Sequence, residues 1–95
     1  MYKLSTKATE DIEHIIDYTV VNFGSSIAIE YHKSLKSCFD ILSNNPNIGV
    51  NYDHIRKDYL CYYHRSLAIF FKKNKHNILI IRVLHSSMDV PKHMT

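Results

Sequence analysis

Arg56, Arg65 and Arg82 share the second half of this 95-residue chain with His64, His85, Tyr62 and Tyr63. Those side chains could support RNA self-cleavage. That reaction needs a base for the 2′-hydroxyl, an acid for the leaving oxygen and cations for the phosphorane charge. His85 is the best acid–base candidate, because imidazole titrates near neutrality. Together with Arg82, Arg65 and Arg56 it would make a ribonuclease site. A hydrogen bond from His85 to the turn at Ser86–Asp89 explains the same residue without catalysis. Tyr59, Tyr62 and Tyr63 beside Arg56 and Arg65 could stack bases, although a packed sheet explains them more simply.

Other chemistries find less support. Seven histidines, at 14, 32, 54, 64, 76, 85 and 93, show neither an H-x-x-x-H pattern nor a spacing shared with cysteine, so no metal is expected. Two glycines cannot build a phosphate-cradling loop, and no cofactor is expected. Cys38 and Cys61 are far apart in sequence and in no redox or metal spacing. With no N-terminal signal pattern, the reducing cytoplasm is the expected compartment. No run approaches the roughly 18 to 20 apolar residues that span a bilayer.

Charge is unevenly distributed. Residues 1–50 hold four lysines against six acids, whereas residues 51–95 hold five lysines and three arginines against three acids. Such a basic half suggests an anionic partner, either nucleic acid or an acidic protein segment. Lys72, Lys73 and Lys75 are equally explained as a solvated turn.

The elements that must position these residues follow from periodicity. One domain is expected, over residues 1–95. Tyr2 to Ser5 is a short strand. Ala8, Ile12, Ile15, Ile16, Thr19, Val20 and Phe23 recur at helical spacing, with Ser5 or Thr6 as cap and Gly24 as stop. Ser25 or Ser26 can cap a second helix carrying Ala28, Tyr31, Leu35, Cys38, Phe39 and Leu42, which ends at Asn44-Asn45-Pro46. With almost no linker the two helices must form a hairpin. Tyr59 to His64, Leu67 to Lys72 and Ile78 to His85 are strands rich in aromatic and β-branched residues. Their connections are too short for parallel crossovers, which predicts an antiparallel meander. The fold class is α+β, in the order β-α-α-β-β-β, with the helical hairpin on one face of a small, mainly antiparallel sheet.

Strict alternation places Ile78, Ile80, Arg82 and Leu84 on one face of the last strand, and Leu79, Ile81, Val83 and His85 on the other. Both faces are apolar, and one helical hairpin covers one face. The second face is therefore expected to stay exposed, as an apolar and aromatic docking surface with Arg82 and Arg65 in it. The alternative is an internal ion pair of Arg82 with Asp89 or Asp58.

The stretches YKLSTKATEDIEHIIDYT, FGSSIAIEYHKSLKSCFDIL, NNPNIG followed by DHIR, SLAIFFKK and IIRVLHSSMDVPKHM resemble those of ParE-type toxins of the RelE/ParE superfamily. The RVLH-x-x-MD ending after an NP-x-x-G loop is the most specific part. Many members carry an Arg pair after the IR motif and a His before the middle strand; here Leu60-Cys61 and Leu67 stand in those places. The resemblance implies the toxin of a type II toxin–antitoxin system that inhibits DNA gyrase by protein–protein contact. It also implies neutralisation by a cognate, ParD-like antitoxin through a disordered C-terminal segment. The residues expected to bind antitoxin or target are Arg56, Tyr62, Arg65, Phe70, Arg82, His85, Met88 and Asp89. Catalysis, membrane association and direct nucleic-acid binding by the toxin alone are not expected. The alternatives are a ribosome-dependent mRNA endoribonuclease of the RelE kind and a non-toxic remnant that retains antitoxin binding.

Overall fold

The computed structural model describes residues 1–85. Tyr2–Leu4 form β1, Thr6–Phe23 α1 and Ser25–Asn44 α2. A 3-10 turn at Pro46–Ile48 leads to β2 (Val50–Asn51), followed by β3 (Leu60–His64), β4 (Leu67–Lys73) and β5 (Ile78–His85). The sheet runs β1-β5-β4-β3-β2, with β1 parallel to β5 and every other pair antiparallel. The predicted α+β hairpin-on-sheet order is thus observed, with the two-residue β2 added.

Ser5 joins the first strand to the first helix. Its hydroxyl accepts from the Ala8 N–H at 3.0 Å, satisfying one of the helix's orphan donors, and itself donates to the Ile81 carbonyl at 2.7 Å. Its backbone N–H donates to the Ile80 carbonyl at 2.9 Å, so the cap of α1 is anchored on β5. At the other end Gly24, at φ 92°, turns the chain into α2. Gly24 itself is the N-cap of α2, with no side-chain capping bond, so the cap expected from Ser25 or Ser26 does not form.

The main core lies between the helices and the sheet. Ala8, Leu35, Cys38, Phe39 and Leu42 meet Leu67, Ile69, Phe71, Ile78, Ile80 and Val83. Gly49 closes one side of this core. A Cβ there would lie 2.6 Å from Phe71 Cζ, so only glycine lets the backbone approach the ring this closely.

Two expectations about the sheet are corrected. The second face is not left bare: residues 52–59 fold across it, and Tyr52, Ile55 and Tyr59 pack over Cys61, Ala68, Phe70 and Leu84. Fully burying one phenylalanine stabilises by about 1.5–3 kcal/mol, reason enough for a short connection to close over the face. The connection is pinned by Tyr52 N–H to Tyr59 O at 2.8 Å and by Asp58 N–H to Asp53 Oδ1 at 2.8 Å. The hydrogen bonds from Asn51 and Asp58 hold the Asp53 carboxyl below its ordinary range. Burial of the same patch pushes the Cys61 thiol up to about 11.

The second correction concerns phase. Phe70 pairs with Arg82 while Phe71 pairs with Ile80, which leaves Ile81 as an extra, bulged residue. Beyond the bulge the alternation is reversed. Val83 faces the helices and Leu84 the far side, the opposite of the strict alternation expected from the sequence.

Candidate functional site

β1 accompanies β5 only as far as Ile80, so among the described residues no strand lies beside that edge of the later part of β5. Asp11, in the second turn of α1, occupies that edge. One carboxylate oxygen accepts the Val83 N–H at 3.0 Å, and the two oxygens accept Arg82 Nε and Nη2 at 2.8 and 3.0 Å. The two side chains are 13% and 16% exposed, so the pair is largely withdrawn from water. The hydrogen bonds it donates to Asp11 hold the Arg82 guanidinium firmly in its charged form. Arg82, expected on an outward docking surface, therefore serves to fasten α1 to β5. Among the described residues its partner is Asp11 and not Asp58, and Asp89, the other partner expected from sequence, lies outside them.

Beside this pair the hairpin tip opens into a groove of about 760 Å³. α1 supplies Asp11, His14, Ile15, Tyr18, Thr19 and Phe23, and α2 supplies Ile27 and Tyr31. The floor and far end come from Arg65, Ser66, Leu67, Val83, Leu84 and His85. The tip is unusually bare: Tyr18 and Phe23 are both 64% exposed, and Ile27 is 46% exposed. Arg65 closes the polar end. It occupies the β3–β4 turn at φ 55°, and its guanidinium carbon lies 5.5 Å from the centroid of the Tyr31 ring, a cation–π distance.

Of the residues expected to bind a partner, Arg65 and His85 line this groove together. Arg56 is exposed on the 52–59 connection, on the far side of the sheet. Tyr62 is half-buried against the main core, in a small depression with Ser34, Ser37, Cys38, Ile41 and His64. Phe70 is 0% exposed and meets Tyr52 edge-to-face at 5.3 Å, which corrects its assignment to an open surface. Met88 and Asp89 lie outside the described residues. Tyr63 donates to or accepts from the Tyr52 hydroxyl at 3.1 Å on the far side, and that bond raises its pKa. The groove's helical lining was missed. Its signal was the width of the apolar stripe: Tyr18, Phe23 and Ile27 exceed what one core-facing side of the helices can bury.

His64 Nε2 lies 2.8 Å from Ser34 Oγ, tying β3 to α2. Burial, and then the neighbouring Arg65 charge, lower its pKa from 6.5. The folded protein therefore favours neutral imidazole, and the unfolded chain takes up the proton first as pH falls. The stability contributed by this site is complete above about pH 7 and is lost as pH drops through the unfolded value. Thermal melts should show the parent losing more stability than His64→Gln between about pH 7.5 and 5.5. Parallel pH profiles would refute this assignment.

Comparison with known proteins agrees with this architecture. The sequence profile described as "ParE toxin of type II toxin-antitoxin system, parDE" matches residues 2–90. A protein named Toxin ParE1 from Caulobacter vibrioides is 28% identical over 93 residues, covering 98% of this chain and 96% of the relative. Another Toxin ParE1, from Mycobacterium tuberculosis strain H37Rv, is 33% identical over 94 residues, with the same coverage. Among solved structures, one titled "Chromosomal ParDE TA system from P. aeruginosa" superposes with a TM-score of 0.75. It is 21% identical and covers 88% of this chain and 92% of that one, a likeness of fold.

Proposed function

This chain belongs to the ParE toxin family of type II toxin–antitoxin systems, and from that premise we propose that it inhibits DNA gyrase by protein–protein contact and is silenced by a cognate antitoxin. The antitoxin's disordered C-terminal segment folds on binding and lays an apolar helical stripe into the groove at the hairpin tip. The observation that carries this reading is the bare apolar wall of Tyr18, Phe23 and Ile27 beside Arg65. A monomer keeps such a surface at a cost in solubility, and a helix with one acidic residue near its end would cover it and meet the arginine.

Contact is favoured over RNA cleavage by the dispersal of the candidate catalytic groups. Arg65 and His85 share the groove, but Arg82 is bound to Asp11, Arg56 and Tyr63 lie on the far side of the sheet, and His64 is tied to Ser34. A base, an acid and cations around one phosphate would have to converge within hydrogen-bond reach of it. Purified protein added to gyrase and plasmid is expected to abolish supercoiling and accumulate cleaved DNA. Normal supercoiling with ribosome-dependent mRNA cuts would transfer the assignment to the RelE-like ribonucleases. Normal growth on induction of folded protein would favour a remnant that binds antitoxin alone.

A further inference from the structure

The charges of this molecule are sorted by layer. The helical segment, residues 6–44, carries three lysines against six carboxylates, whereas the remaining described residues carry eight lysines and arginines against two. At one end of the sheet, on the face away from the helices, three lysines gather. Tyr2 packs toward the helical core, so its neighbour Lys3 points to the far face, as does Lys72 beside the buried Phe71. Lys3 and Lys72 are both in register with Leu79, one on each side of β5, which sets their Cα atoms about 10 Å apart in one cross-strand row. Lys75 stands in the β4–β5 turn at the same end of the sheet, and Arg56 and Lys57 are exposed on the connection that crosses this face, where Asp53 and Asp58 are exposed beside them. None of these five basic residues forms an ion pair with a described residue.

We propose that this lysine row, Lys3 and Lys72 with Lys75, binds the phosphate backbone of double-stranded DNA. Lysine offers a point charge and lacks the planar fork that matches a carboxylate, so the row selects for charge density over carboxylate geometry. Duplex DNA carries one charge per about 1.7 Å of axis, a density an acidic protein segment does not sustain. The acidic helical layer orients the molecule, turning the groove away from the DNA while the lysine face approaches it. In sequence Lys72 and Lys75, with Lys73, are equally explained as a solvated turn, and Lys3 is far from them along the chain, so only the sheet brings the row together. The proposal does not depend on gyrase, and its test contains none.

The test is fluorescence anisotropy of a short labelled duplex titrated with the full chain. With about three phosphates contacted, affinity should fall about 40-fold between 50 and 200 mM salt. Lys3→Glu with Lys72→Glu should weaken binding at least about tenfold and lower the salt slope by about two. Lys75→Glu, in an exposed turn and so safe for folding, should lower the slope by about one. Lys33→Glu with Lys36→Glu, on α2, should change binding less than about twofold, a control for net charge alone. No binding at low salt, equal binding to polyglutamate, or equal losses in the α2 control would each overturn the proposal.

Discussion

Replacing Asp11 with alanine is expected to destabilise the fold by about 3 kcal/mol, the size usual for breaking a largely buried ion pair. The substitution removes one acceptor that serves three donors at once: two guanidinium nitrogens of Arg82 and the Val83 N–H at the open edge of β5. For a domain of this size that corresponds to a fall in melting temperature of roughly 12 °C or more. Asp11→Asn should fall between the two, because its amide oxygen can still accept from Val83 while the charge is gone. Combining Asp11→Ala with Arg82→Ala should give a coupling of about 2 kcal/mol in a double-mutant cycle. Additive losses, or an unchanged melt for Asp11→Ala, would show that this pair does not hold α1 to the sheet.

Phe23→Asp combined with Ile27→Asp is expected to weaken binding of the cognate antitoxin at least about 100-fold, since buried anchors of an interface are often worth 2 kcal/mol or more each. Both residues are well exposed in the lone chain, at 64% and 46%, so the cost to stability should stay below about 1 kcal/mol. Calorimetric titration together with a thermal melt separates the two quantities. Full affinity in a folded double variant would remove the hairpin tip from the interface. The outcome would leave the gyrase reading intact, because the two partners are assayed separately.

Much of this architecture was legible in the sequence because local signals agreed with one another. Ser5 caps α1 as its side chain predicts, the glycine at 24 ends it, and β5 spans Ile78–His85 as its β-branched run suggests. What escaped was non-local. In ILIIRVL every residue but the arginine is content on either face, so nothing in the pattern marks Ile81 as the bulge. Glu10, Asp11 and Glu13 are equivalent acids in sequence, and only the meeting of α1 with β5 selects Asp11 for Arg82. Residues 52–59 have the polar composition of a loop, yet Tyr52, Ile55 and Tyr59 supply enough apolar surface to cover a sheet face. The groove was hidden for a related reason. Tyr18, Phe23 and Ile27 continue the core-facing stripe, and where a stripe outruns its core is set by tertiary packing.

The pairing of β1 with residues 78–80 has a bearing on how the protein is born. On the ribosome β1 emerges long before β5 and then waits, without that neighbour, until residues 78–80 have followed. The anchoring of Ser5 on Ile80 and Ile81 waits with it. Closing so long a loop is slow compared with forming either helix. A half-made nascent chain can therefore hold helices but no completed sheet. The lysine row, which is joined through β5, comes into being only once that strand has emerged.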